Sequence, residues 1–240
     1  MRYLIKISYD GTNFYGFQRL NNLRTVQKEL EDALTIINKK NVIIKGAGRT
    51  DRGVHAYGQM AHFDLDVNIP AERLVNAINS LIGEDIHIVD CQQVSADFHA
   101  RFMVKKKEYV YRINLGLYDP LKNNYYWQIP YKLDMKKMEQ AAKIFIGGHD
   151  FHNFVAGYRE NYEAIIYDLK ITKKNDILEL KFIGKSFYRY MVRGLVGALV
   201  DVGKNKATLE TIKEMLDEPS KPKQLSVAPP KGLYLMKIEY

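Results

Sequence analysis

Hydrophobic and polar side chains alternate over residues 2–9, which is the pattern of a strand with one buried face. Asp10-Gly11 follows this stretch and predicts a turn. Behind Thr25, which is suited to cap a helix, apolar residues recur at the spacing of one helix face as far as Ile37. Further strands are predicted over 42–44, 59–66 and 86–94, and a helix is predicted over 70–81, opening at Pro70.

The second half of the chain contains the same two kinds of pattern. Tyr109, Tyr111 and Ile113 fall on one face of a predicted strand. A long apolar stretch predicts a helix over about 187–202. The remaining predicted elements are helices over 135–145 and 209–216 and strands over 164–172, 177–184 and 232–240.

The order of these elements defines the fold class that we expect. Strands and helices occur in both halves without regular βαβ alternation, so the pattern favours an α+β fold with helices packed on largely antiparallel sheets. The boundary is expected near residues 98–106, which divides the chain into an N-terminal half, 1–104, and a C-terminal half, 105–240. The Pro- and Lys-containing segment 219–230 is expected to be an ordered loop, because an apolar strand follows it.

Composition narrows the classes of partner. The 36 Lys and Arg residues exceed the 28 Asp and Glu residues, so the formal charge is 36 − 28 = +8. This balance favours a polyanion such as nucleic acid, although a basic enzyme with a small acidic substrate would share it. A single cysteine, Cys91, excludes an internal disulfide and a multi-cysteine zinc site. We find no signal-peptide or membrane-spanning pattern, and we expect a cytoplasmic protein.

The loop over residues 46–58 carries the clearest chemical signal. Asp51 lies between Arg49 and Arg52, and His55 follows. The four glycines of the loop permit close approach of the backbone to a ligand. Neighbouring guanidinium groups can hold a carboxylate ionised, as a nucleophile requires. For an isolated loop, the alternative is a tight turn whose charges are simply solvated.

This loop reads GAGRTDRGVHAYGQ over 46–59 and resembles the signature GAGRTDAGVHAxGQ of the TruA family of tRNA pseudouridine synthases, with Arg52 in place of the usual alanine. Five further segments resemble family motifs in the same order. They are YDGTNFYGFQ at 9–18, FHARF at 98–102, GHDF at 148–151, MVR at 191–193 and APPKGLYL at 228–235. Six motifs in order are far more specific than any one of them.

The resemblance implies a fold and an activity. The fold would be that of pseudouridine synthases, with two similar halves around a central basic cleft. The activity would be the isomerisation of uridine to pseudouridine in the anticodon stem-loop of tRNA, by a homodimer that needs no cofactor and no metal.

The resemblance also implies roles for individual residues. Asp51 matches the aspartate that forms a covalent adduct with the target uridine, whose uracil detaches, rotates and rejoins through carbon. Tyr109 matches the tyrosine that stacks on the target base and helps to remove its C5 proton, although a core aromatic on a half-buried strand would have the same pattern. Arg193 matches the arginine paired with the catalytic aspartate, and Arg49 matches the arginine that helps to displace the base. Extruding a base from a stem costs a few kcal/mol, which stacking on an aromatic ring offsets.

Further basic residues are candidates for RNA contacts. Arg189 precedes Arg193 by four residues and would share its face of the predicted helix, where Gly194 and Gly197 suggest close packing against another backbone. A run of lysines immediately precedes Tyr109 and could hold the RNA backbone, or could be an ordinary solvated surface. The expected RNA-contacting residues are Arg49, Arg52, His55, Lys105, Lys106, Lys107 and Arg189.

Other chemistries fit the sequence less well. The run His-Asp-Phe-His at 149–152 resembles part of a metal site but lacks the further ligands, and Gly-Lys-Ser at 184–186 lacks the first glycine of a P-loop. Two alternatives to tRNA isomerisation remain. Arg52, the lysine run and the short segment 154–171 could indicate the same chemistry on a ribosomal RNA stem-loop, and a non-catalytic RNA-binding module could keep the same fold.

Overall fold

The computed structural model describes residues 1–218 and 225–240. They form two compact units. The first comprises Met1–Lys105 and Tyr234–Tyr240, and the second comprises Lys106–Leu233. Each unit combines helices with a mostly antiparallel sheet, so the predicted α+β class is confirmed. The central cleft and the division into halves at residue 104 stay predictions.

The elements are numbered in chain order. The strands are β1 (Arg2–Tyr9), β2 (Lys45–Gly46), β3 (His55–Asp64), β4 (Ile86–Val94), β5 (Lys106–Asn114), β6 (Trp127–Gln128), β7 (Gly147–Asp150), β8 (Glu163–Lys174), β9 (Ile177–Gly184) and β10 (Leu233–Glu239). The α-helices of the described residues are α1 (Val26–Asn38), α2 (Ala71–Asn79), α3 (Met135–Ile144), α4 (Met191–Gly203) and α5 (Leu209–Asp217). Short 3-10 turns cover Gly11–Asn13, Pro120–Lys122, His152–Phe154 and Pro230–Gly232.

The sheet of the first unit has the strand order β4-β1-β3-β10, with β2 paired to β3. The pairs β4-β1 and β1-β3 are antiparallel, whereas β10 runs parallel to β3. Tyr3, Ile5 and Ile7 of β1 are fully buried and form the core of the unit. The last strand therefore lies in the first unit. Its sequence pattern does not indicate this grouping, because a pattern of alternation does not name the partner strand.

Two predicted boundaries in the first unit are wrong. Residues 42–44 form no strand, because side chains of α1 bind their backbone: Thr35 Oγ1 accepts from the Val42 N–H at 3.3 Å, and Glu31 Oε1 accepts from the Ile44 N–H at 2.9 Å. The strand is instead β2, which follows directly. The strand predicted over 59–66 begins earlier, at His55, and ends at Asp64.

The sheet of the second unit has the order β5-β9-β8-β7, with β6 paired in parallel to β5. Helix α4 is almost entirely buried, and α3 packs against both α4 and α5. The short strands β6 and β7 were not predicted, because two to four residues carry too little alternation. The part of the predicted loop at 219–224 lies outside the described residues, and 225–229 contain neither helix nor strand.

The predicted start of α4 is wrong. The apolar pattern extends back to residue 187, but the helix begins at Met191, because Tyr190 adopts a left-handed conformation with φ of 65°. Arg189 therefore lies in the turn before the helix and does not share a helix face with Arg193. Both guanidinium groups nevertheless lie over the Tyr190 ring, Arg189 at 5.1 Å and Arg193 at 4.3 Å from its centroid.

Candidate active site

The loop that carries Asp51 joins β2 to β3, and its first residues are hydrogen-bonded to β3. The Ala47 N–H donates to the Met60 carbonyl at 2.8 Å, and the Gln59 side-chain amide donates to the Gly48 carbonyl at 3.0 Å. Next to Asp51, the Thr50 hydroxyl forms a buried hydrogen bond of 2.8 Å with the hydroxyl of Tyr9. The backbone that presents the carboxylate is therefore fixed by the sheet beneath it.

The segment at 14–17 forms a second support for this loop. The Phe17 N–H donates to the Thr50 carbonyl at 3.2 Å. Gly16 has φ of +94°, and a Cβ atom there would lie 2.7 Å from the Thr50 carbonyl oxygen and 3.3 Å from the Arg52 nitrogen. Only glycine satisfies both constraints. The motif YDGTNFYGFQ thus buttresses the Asp51 loop, a role that its residue types alone did not reveal.

His55 is buried beneath the same loop, with 3% of its surface exposed. Its Nδ1 accepts from the Gly11 N–H at 3.1 Å, and its ring stacks on that of Tyr234 at 4.8 Å. The Asp10 carboxylate lies 3.1 Å from the same nitrogen, but Nδ1 cannot accept from one group and donate to the other at once. This burial does not support the predicted RNA contact of His55 and indicates a positioning role.

Arg49 and Arg52 do not hold the Asp51 carboxylate, in contrast to the prediction. Arg49 is exposed. The guanidinium of Arg52 lies 4.2 Å from the centroid of the Tyr15 ring. Neither arginine forms an ion pair with Asp51 within residues 1–218 and 225–240. Both guanidinium groups can still bind an external phosphate.

Tyr109 lies near the start of β5, opposite Phe182 of β9, and is 7% exposed. Phe187 contacts its ring edge-on, with the centroids 5.3 Å apart. Tyr111 follows on the same face, and its hydroxyl donates to the Pro229 carbonyl at 2.7 Å. Burial raises the pKa of Tyr111 well above its ordinary value, and the positive charge of Arg193 acts in the opposite direction.

Arg193 lies in the first turn of α4 and is held by the segment before β10. Its Nε donates to the Ala228 carbonyl at 2.8 Å, and the Ala228 N–H donates to the Arg193 carbonyl at 3.0 Å. The buried carboxylate of Asp201, two turns further along α4, accepts from the backbone and the hydroxyl of Ser226 at 2.8 and 2.9 Å. The segment 226–228 is therefore fastened to α4 at two levels.

The two glycines of α4 allow this close packing. A Cβ atom on Gly194 would lie 2.5 Å from the Phe154 carbonyl oxygen, and one on Gly197 would overlap the Ser226 carbonyl. The prediction that these glycines reflect close approach of another backbone is confirmed. Their helix-propensity cost of about 1 kcal/mol each is offset by contacts that alanine would prevent.

The lysine run is divided between the two units. Lys105 is exposed, and its backbone N–H donates to the Glu239 carbonyl at 2.8 Å in the first unit. Lys106 and Lys107 open β5 in the second unit and are half-buried. Their contact with RNA stays a prediction.

Among the described residues, no group of three or more His, Cys, Asp and Glu side chains could hold a metal ion. The run at 149–152 has a structural use: the Asp150 carboxylate accepts from the His152 N–H at 2.8 Å, and the His152 ring stacks on Tyr162 at 4.2 Å.

Burial raises the pKa of the Cys91 thiol to about 12. No helix of the described residues is long and apolar enough to span a membrane.

Comparison with known proteins identifies the family. A family model described as tRNA pseudouridine synthase matches residues 5–103 and 141–240. The chain is 42% identical to tRNA pseudouridine synthase A of Thermosipho melanesiensis over 240 residues, which cover 99% of this chain and 98% of that protein. It is also 42% identical to that of Pseudothermotoga lettingae, over 100% and 99% of the two chains, and 39% identical to that of Anoxybacillus flavithermus, over 98% and 96%.

The chain belongs to the tRNA pseudouridine synthase family, and the family resemblance inferred from its motifs is confirmed. Among solved structures, a chain in the crystal structure of a Cbf5-Nop10-Gar1 complex matches with a TM-score of 0.36 and 10% identity, over 83% of this chain and 54% of that one. This likeness is too weak to add to the argument.

Proposed function

We propose that this protein isomerises uridine to pseudouridine in the anticodon stem-loop of tRNA, with Asp51 as the nucleophilic carboxylate. The observation that most supports the proposal is Asp51 itself, at the centre of the family signature, in a loop whose backbone is fixed on both sides. Preorganisation of this kind matters because a carboxylate displaced by about 1 Å can lose roughly a hundredfold in rate.

In the proposed reaction, Asp51 forms a covalent adduct with the target uridine and the bond between N1 of uracil and C1′ of ribose breaks. The uracil rotates, a bond between C5 and C1′ forms, and the bond between Asp51 and the nucleoside breaks, which returns the free carboxylate. The proton on C5 leaves, and N1 gains one from solvent. Bonds and protons balance without an oxidant, a reductant or a cofactor.

Tyr109 would supply the face on which the extruded uracil stacks. Its edge contact with Phe187 and its position opposite Phe182 restrict the ring, so little side-chain entropy is lost when a base binds. Because the ring is 7% exposed, Phe187 would move aside to open its face to the base. Its hydroxyl would take part in removal of the C5 proton. Arg193 would supply the positive charge that keeps the catalytic carboxylate ionised, with its guanidinium oriented by Ala228 and Tyr190.

Binding of the RNA backbone would fall to six basic residues: Arg49, Arg52, Lys105, Lys106, Lys107 and Arg189. Each phosphate contact releases counterions, so affinity should fall steeply as salt rises. His55 would position the Asp51 loop from beneath rather than touch RNA. We further propose that the protein acts in the cytoplasm as a homodimer with the tRNA lying across both subunits.

The proposal is tested by mapping pseudouridine in RNA transcripts incubated with the purified protein. We expect conversion confined to anticodon-arm uridines of tRNA. Conversion only in a ribosomal stem-loop would instead support the second candidate, which the replacement of the usual alanine by Arg52, stacked on Tyr15, favours. Tight RNA binding with no conversion of any transcript would contradict isomerisation and leave an RNA-binding module.

A further inference from the structure

Phe102 presents an aromatic ring to solvent in a fixed orientation. Its side chain is 77% exposed, and its ring stacks on that of His99 with the centroids 4.1 Å apart and the planes at 28°. One face of the phenyl ring is therefore occupied and the other is open. Burial of a ring of this size against a partner would contribute about 1.5–3 kcal/mol.

The turn that carries this ring, residues 98–103, is held by the sheet of the first unit. The Ala100 N–H donates to Nδ1 of the buried His62 at 3.1 Å, and the Ala100 carbonyl accepts from the Tyr240 hydroxyl at 3.0 Å. Arg2 donates to the Phe98 carbonyl at 2.9 Å. The 98–103 turn thus holds Phe102 in place before any ligand arrives.

Basic side chains lie near His99, on which the open ring stacks. Lys45 lies directly opposite His62 in the β2-β3 ladder, so their side chains are on the same face of the sheet. Burial and the charges of Lys45, Arg2 and Arg101 together hold the pKa of His99 below its ordinary value. Arg2 is paired with Asp64, but Lys45 and Arg101 form no ion pair within the described part of the chain.

We propose that the 98–103 turn and Lys45 form a second RNA-binding site, in which an unpaired nucleobase stacks on the open face of Phe102. Lys45 and Arg101 would contact the phosphates on either side of that base. An aromatic platform flanked by cations is how proteins bind single-stranded nucleotides without reading their sequence. The proposal rests on the proposed function in one respect, namely that the RNA is the substrate tRNA.

The site is separate from the nucleotide that would react. His62 lies seven residues along β3 from His55, which supports the Asp51 loop, and at a rise of about 3.3 Å per residue this is roughly 23 Å. In this proposal the base on Phe102 is a different nucleotide from the target uridine. It belongs to an unpaired part of the same RNA, and its binding would help to orient the substrate.

Charge favours RNA over a second copy of this chain as the occupant. In a two-fold interface the same patch meets itself, so Lys45 and Arg101 of both copies would come together. The nearby carboxylate of Asp64 already pairs with Arg2 and cannot compensate them. Phosphate groups of an RNA supply the missing negative charge.

The test compares equilibrium binding of a tRNA transcript by the wild type and by three variants of one position. We expect Phe102→Ala and Phe102→Leu to weaken binding by about fivefold or more, the effect of one stacked base, and Phe102→Trp to retain it. Ile36→Ala, at a 64% exposed apolar residue on α1 in the same unit, is the matched control and should bind as the wild type does. Turnover at saturating tRNA should stay within about twofold, because Asp51, Tyr109 and Arg193 are unchanged.

Further variants test whether Lys45 and Arg101 contact phosphates, and a separate measurement tests whether Phe102 contacts RNA or another protein. Lys45→Gln and Arg101→Gln should each reduce the salt dependence of binding by about one phosphate contact, whereas Lys40→Gln, which removes a cation already paired with Asp66, should not. Wild-type affinity in Phe102→Leu, with active wild-type protein beside it, would overturn this site and leave the proposed function intact. A change in the mass of RNA-free Phe102→Ala on sedimentation would also overturn it, because the ring would then cover a protein interface. A wild type that binds no tRNA would refute both proposals.

Discussion

At the scale of single residues, the Asp51 loop depends on residues outside the signature motif. The neighbouring Arg52 stacks on the Tyr15 ring. What fixes the loop is the close approach of Gly16 to the Thr50 carbonyl and the hydrogen bond between Thr50 and Tyr9. The catalytic carboxylate would thus depend on a glycine 35 positions earlier in the chain, which residue types in the signature loop cannot reveal.

We predict that Gly16→Ala lowers turnover by roughly tenfold or more, because a Cβ atom would push the Thr50 carbonyl and displace Asp51. Gly157→Ala is the matched control. Gly157 has φ of +88° but nothing within 4 Å of its Cβ position, so it carries the same backbone strain of about 1–2 kcal/mol without the clash. Thermal unfolding and turnover of both variants should be measured. Equal loss of activity in the two would show that strain alone, and not the contact with Thr50, is responsible.

At the scale of elements, sequence patterns predicted β1 and β4 to the residue, and α1 with its cap at Thr25. The patterns gave wrong boundaries at two places where the conformation of the backbone is set by something other than the spacing of apolar residues. Residues 42–44 are apolar and β-branched, yet the N–H groups of Val42 and Ile44 donate to side chains of α1 instead of to a neighbouring strand. Residues 187–190 continue the apolar pattern of α4, yet Tyr190 has a left-handed backbone conformation, so the helix begins only at the next residue. Neither effect is visible as periodicity.

His62 of β3 accepts a hydrogen bond from the Ala100 N–H of the 98–103 turn, and this buried histidine should make the stability of the fold depend on pH. Burial, followed by the charge of His99 and of Arg2, lowers the pKa of His62 to about 4, with Asp64 opposing and Lys45 reinforcing this effect. In an unfolded chain this pKa is about 6.5. Between about pH 4 and 6.5 the unfolded chain therefore binds more protons, so stability is complete above this window and is lost as pH falls through it.

Replacement of His62 by glutamine should reduce the slope of unfolding free energy against pH within that window by up to one proton, because Gln has an acceptor for the Ala100 N–H but does not titrate. The exposed residue His87 provides the control, and His87→Gln should keep the wild-type slope. Urea unfolding at a series of pH values measures both. An unchanged slope in His62→Gln would mean that His62 is not kept neutral by the fold.

At the scale of the whole molecule, a formal charge of +8 and six ordered motifs were sufficient to recognise the family, and the family comparisons confirm it. The sequence did not reveal that β10 lies in the first unit, where Tyr234 stacks on His55. This contact joins residues 179 positions apart, and a strand's alternation does not specify its partner. The motif APPKGLYL therefore contributes to both units, since Ala228 holds Arg193 in the second and Tyr234 stacks on His55 in the first.

The central claim is that Asp51 is the group on which isomerisation depends. It is tested most directly by release of tritium from tRNA labelled at C5 of uridine, with the wild type and Asp51→Asn compared at equal RNA occupancy. The wild type should release label in proportion to pseudouridine formed, because C5 exchanges its hydrogen for the bond to ribose. Asp51→Asn should bind the RNA and release none above background. Release by Asp51→Asn at the wild-type rate would contradict the account.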